Sequence, residues 1–102
     1  GAVRVLLEGG AAVNVTDEFG MTALMLAALN GNAEAVSVLL EAGAEVEARE
    51  HTKGHTALML AAYEGHEGTV RLVLEAGAAA DKIDRSGKTA LIMAEWKGHT
   101  KV

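Results

Sequence analysis

The side chains with a claim to chemistry are four histidines, Ser37, Ser86 and a scatter of carboxylates. His51 and His55 stand four apart, a spacing that on a helix would turn both rings to one face for zinc. Gly54 lies between them and the surrounding segment reads as a turn, so no ligand pair is expected. Ser37 and Ser86 have neither a histidine nor an acid at a spacing that suggests a nucleophile and its base. Gly20, Gly54 and Gly87 occur singly, unlike the clustered glycines that cradle a phosphate. Met25, Met59 and Met93 read as core filling rather than a ligand set, and Glu45 with Glu47 as a solvated pair. His66 and His99 recur at equivalent places and read as capping groups that also hydrogen-bond between repeats. The expectation is a chain without catalysis, metal or cofactor.

The 102 residues amount to one domain. Half of them are hydrophobic, mostly Ala, Leu and Val, and the only aromatics are Phe19, Tyr63 and Trp96. Small apolar side chains suit helices packed close together better than one deep core. The formal charge of -5 argues against nucleic acid as the main partner, because neutralising phosphates needs a basic face. Residues 1–50 hold eight acids against Arg4 and Arg49, whereas residues 51–102 hold six acids against seven bases. No Cys is present, which removes disulfides and thiolate metal sites. No signal peptide or membrane-length apolar run is visible, so an intracellular, cytoplasmic location and no membrane contact are expected. Asn14-Val15-Thr16 matches a glycosylation acceptor, a triplet that arises often by chance, and nothing else points to secretion.

These residues sit on an internal repeat. Gly20-Met21-Thr22-Ala23-Leu24-Met25-Leu26-Ala27-Ala28 returns 34 residues later as Gly54-His55-Thr56-Ala57-Leu58-Met59-Leu60-Ala61-Ala62. It returns again after 33 more as Gly87-Lys88-Thr89-Ala90-Leu91-Ile92-Met93-Ala94. A second block, Val36 to Ala44, matches Val70 to Ala78 and Val3 to Ala11. Each block reads as a short helix. Thr22, Thr56 and Thr89 stand where an N-cap belongs, and Gly31, Gly65 and Gly98 where a left-handed residue ends the helix. Ala35, Val36, Leu39 and Leu40 form an apolar stripe on the second helix, which Gly43 ends. The polar stretches between, such as 45–54 and 79–87, read as turn-rich fingers. One extra residue between Gly20 and Gly54 falls near Glu50–Lys53.

The pattern Gly-x-Thr-x-Leu…Ala-Ala-x-x-Gly-His…Val…Leu-Leu-x-x-Gly-Ala resembles the ankyrin repeat family over essentially the whole chain. The resemblance implies an all-α solenoid of stacked helix-turn-helix pairs with β-turn fingers. It implies two complete repeats, 17–49 and 50–83, flanked by the second half of a repeat at 1–16 and the first half of another at 84–102. The family favours Pro after the capping Thr and His two positions on, where this chain has Ala23, Ala57 and Ala90, then Met25, Met59 and Ile92. The family's His ties neighbouring repeats, so a looser link made by thioether packing is expected here. Val3 corresponds to Val36 and Val102 to Ala35, with no polar capping helix at either end. That is expected of an excerpt from a longer array, or of ends that meet head to tail between molecules in self-association.

The resemblance also implies that fingers and the exposed side of the first helices grip a partner protein. Framework positions repeat and contact positions vary. The varying residues are Glu18, Phe19, Met21, Leu29 and Asn30 in the first copy. They are Thr52, Lys53, His55, Tyr63 and Glu64 in the second, and Arg85, Ser86, Lys88, Trp96 and Lys97 in the third. All three aromatics fall in this set, at positions where anchors for a partner are favoured. The expected function is protein binding. A spacer segment of a larger ankyrin-containing regulatory protein and an engineered repeat scaffold are the alternatives, and Gly68, Ala80 and the shifted finger make the copies irregular for the latter.

Overall fold

The computed structural model describes residues 13–98. They form five α-helices: α1 Ala23–Asn30, α2 Ala33–Glu41, α3 Ala57–Glu64, α4 Glu67–Glu75 and α5 Ala90–Trp96. Among the described residues the β-structure is an isolated bridge between Thr16 and Thr22. The fold is all-α and repeating, as the sequence pattern leads one to expect. Residues 1–12, His99 and Val102 lie outside the described residues.

Each first helix begins where its threonine dictates. The hydroxyls of Thr22, Thr56 and Thr89 accept the N–H groups of Met25, Met59 and Ile92 at 3.2, 3.3 and 3.2 Å. Each bond satisfies a donor that a helix start otherwise leaves orphaned. The Met25 thioether answers back, accepting from the Thr22 N–H at 3.5 Å. Replacing Thr56 by Ala is expected to cost about 1 kcal/mol. A urea denaturation midpoint that did not move would mean that packing alone sets the start of α3.

α1 and α3 end at Gly31 and Gly65, with φ of 69° and 77°. Gly31 also has no room for a side chain, since a Cβ would lie 2.6 Å from His66 Nδ1. His66 stands at the start of α4, and its Nε2 lies 3.0 Å from the Leu29 carbonyl oxygen in the preceding repeat. Glycine and histidine thus form a clasp between repeats. His66 makes no side-chain cap, which corrects half of its expected role. Asn32, its equivalent, does cap, accepting from the Ala35 N–H at 3.1 Å.

α1, α3 and α5 pack side by side in one row, and α2 and α4 form a second row behind them. Helices of seven to nine residues are marginal alone in water, so burial against neighbours carries them. Alanine permits close approach: Ala28, Ala61, Ala62 and Ala94 are all 1% exposed or less. α3 sits between α1 and α5 and is buried from Ala57 to Ala62. α2 and α4 bury one stripe each, through Val36 with Leu39 and Val70 with Val73.

The fingers are organised by one acid each, exposed at Asp17 and buried at Glu50 and Asp84. Asp17 accepts the N–H groups of Phe19 and Met21, and Asp84 those of Ser86 and Lys88, all at 2.9 Å. Glu50 accepts from Thr52, Lys53 and His55 at 2.9, 2.8 and 2.9 Å. The extra residue lies in this finger, where residues 51–53 turn, and the longer acid spans the longer loop. Adjacent fingers are joined by His51 N–H to the Phe19 carbonyl at 2.7 Å and Arg85 N–H to the Lys53 carbonyl at 2.9 Å. A second ladder runs behind them. Asn14 Oδ1 accepts from the Glu45 N–H at 2.7 Å, and Glu47 Oε2 from the Ala79 N–H at 3.2 Å. Glu47 is therefore half-buried and spent on the next repeat, which corrects its reading as a solvated acid; Glu45 is exposed.

Candidate functional site

Side chains three apart on a helix share a face. Leu60 with Tyr63 on α3 and Met93 with Trp96 on α5 are such pairs, and they point to the same side as the fingers. Together they bound an open groove of about 610 Å³. Its apolar part is Leu29, Leu60, Tyr63, Met93 and Trp96; its polar rim is Thr52, Lys53, His55, Glu64, Asp84, Arg85, Ser86 and Lys88. Leu29, Tyr63 and Trp96 occupy one repeat position on three successive first helices, so stacking lines them up along the groove.

Most of the varying residues named from sequence meet here. Glu18, Phe19, Met21, Asn30 and Lys97 do not line the groove. Phe19 is 54% exposed on the first finger, Met21 packs half-buried against the core, and Glu18 and Asn30 are exposed. Lys97 stands beside the groove with its Nζ 5.0 Å from the centre of the Tyr63 ring. The three aromatics do not gather into one interior: Trp96 is 68% exposed and Tyr63 half-buried. Leu60, Met93 and Asp84 were missed because they recur as framework. The i, i+3 step from Leu60 to Tyr63 and from Met93 to Trp96 was the available signal.

His55 bridges two fingers. Its Nε2 lies 3.3 Å from Asp84 Oδ2 and its Nδ1 4.0 Å from Glu50 Oε1. Burial by itself would raise the Asp84 carboxyl, but the Lys88 and Ser86 amides, the Ser86 hydroxyl and the charge of His55 outweigh it and lower it to about 2. Glu50 is likewise lowered to about 2, against burial, by the amides of His55, Lys53 and Thr52 and by the Thr52 hydroxyl. Both acids are thus structural anions, not proton donors or acceptors at neutral pH. The His51 ring serves a different neighbour, Gly20, where a Cβ would come within 2.5 Å of it. Among the described residues no group of three or more His, Asp or Glu is placed to hold a metal ion. No helix among them is long and apolar enough to cross a membrane.

Lys88 Nζ lies 3.6 Å over the Trp96 ring, a cation–π contact on the groove wall. The arrangement is a concave, largely apolar surface with two aromatic rings, a charged rim and no assembled nucleophile or metal centre among the described residues.

A family model of ankyrin repeats, in three copies, matches residues 1–83 and 47–102. The chain is 43% identical over 100 residues to ankyrin repeat domain-containing protein 63 of Homo sapiens, and equally to the protein of that name from Mus musculus. Each match covers 95% of this chain and 26% of the relative. The chain spans about a quarter of the length of the curated relatives it matches.

Proposed function

We propose that this chain, which belongs to the ankyrin repeat family, holds a partner protein in the groove between its fingers and first helices and performs no catalysis itself. One observation carries the reading. A single repeat position, occupied by Leu29, Tyr63 and Trp96, forms an apolar line along a groove of about 610 Å³, and Trp96 is left 68% exposed on it. A large aromatic held open to solvent on rigid helices is poorly used as core and well used as an anchor, because docking buries its area without ordering a loop.

The test is capture of proteins from cell extract on the immobilised chain, compared with a Tyr63→Ala/Trp96→Ala variant whose helix content is checked by circular dichroism. The variant is expected to bind its captured partner at least about tenfold more weakly. The same proteins bound with the same affinity by a folded variant would reject the groove.

A further inference from the structure

We infer that the groove takes an acidic segment of its partner, a short stretch in which a bulky apolar side chain is flanked by carboxylates. The inference rests on the protein-binding reading above and specifies its chemistry. The chain carries a formal charge of -5, yet Lys53, Arg85 and Lys88 converge on this one groove. None of the three lies within 4.0 Å of a carboxylate of the described residues; the ion pairs found there both belong to His55. The acids that also line the groove do not neutralise them. Asp84 is buried and spent on His55 and on its own finger, and Glu64 stands on the rim. Arg85 uses its guanidinium in one long bond, 3.4 Å from Nη1 to the Thr52 carbonyl, and retains donors for a forked carboxylate contact.

The aromatic rings sharpen the choice. An exposed Trp beside a Tyr could in principle receive a cation on its face. Here those faces already belong to the chain's own ammonium groups, Lys88 at 3.6 Å from Trp96 and Lys97 at 5.0 Å from Tyr63. A cationic ligand would meet like charge at each ring. A carboxylate would pair with the same ammonium groups while its neighbouring apolar side chain covers Leu60 and Met93. A groove of about 610 Å³ holds a few side chains, so a short segment fits it better than a broad protein face. A single-stranded nucleic acid offers the same pairing of anion and stacking group, but the acidic remainder of the chain opposes a long polyanion.

The experiment selects random dodecapeptides displayed on phage against the 102-residue chain. Winners are synthesised and ranked by isothermal titration calorimetry, which reads the native chain and the variant lacking Trp96 alike. The expected winners are net acidic with at least one bulky apolar residue. Their affinity should fall about tenfold or more in Arg85→Glu/Lys88→Glu, and also on raising salt from about 50 to about 300 mM. Lys53→Glu is a second variant should the double change disturb the fold. Neutral or basic winners that still need Tyr63 and Trp96 would overturn the acidic inference and leave the groove reading intact. Winners indifferent to Tyr63→Ala/Trp96→Ala, or no winners, would overturn both. Tighter binding of a short oligothymidine than of the best peptide would replace the protein ligand with nucleic acid and overturn the inference.

Discussion

Acidification from neutral pH to below about 2 is expected to remove about 6 kcal/mol of stability through two carboxylates, Glu50 and Asp84. Both are lowered to about 2, from 4.5 and 3.8, so the folded chain holds their protons less tightly than the unfolded chain does. Their contribution is complete above about pH 4.5 and fades as the pH falls through about 2. At about 1.4 kcal/mol per unit, Glu50 contributes about 3–4 kcal/mol and Asp84 about 2–3. The cause is geometric. Each acid folds its own finger by accepting several backbone N–H groups, and a protonated carboxyl can no longer accept them all. The check is the urea midpoint at pH 7 and at a pH near 2, for the native chain and for Glu50→Gln. The native chain should lose stability steeply between the two. The variant should be weaker at pH 7 and show a shallower slope. Equal slopes would mean that Glu50 is no better solvated by its finger than by water.

Met59→Ala is expected to cost about 2–5 kcal/mol, while Ile92→Ala at the same repeat position should cost about 0.5 kcal/mol or less. Met59 is 1% exposed, on the helix that lies between α1 and α5; Ile92 is 45% exposed on α5. Truncating Met59 leaves a void that rigid helices on both sides cannot collapse to fill. Truncating Ile92 removes atoms that water already touches. Against a typical total of about 5–15 kcal/mol, the first change removes a large share. Chemical denaturation of both variants reads the difference directly as a shift in midpoint. Similar losses at the two positions would contradict the view that burial by the next layer, rather than position within a helix, sets the energy.

The repeating residues determined the layers by themselves. A threonine ahead of an apolar run, a glycine some nine residues on and a second apolar stripe are local signals, and Thr22, Thr56, Gly31 and Gly65 act as such signals should. Tyr63, Trp96 and the finger residues could be marked from sequence as the places where the copies disagree. What each residue meets across the stack was decided only in three dimensions. Glu47 reads like any loop acid until the next finger places the Ala79 N–H against it. Leu60, Met93 and Asp84 read as framework, although they also form the floor and rim of the groove. Met59 and Ile92 share one place in the repeat and differ in exposure because one has a helix stacked beyond it. The physical reason is one of range. Caps, turns and helical periodicity act within a few residues of chain, whereas burial, pairing and groove shape depend on groups some 33 residues away along the chain, which only stacking brings into contact.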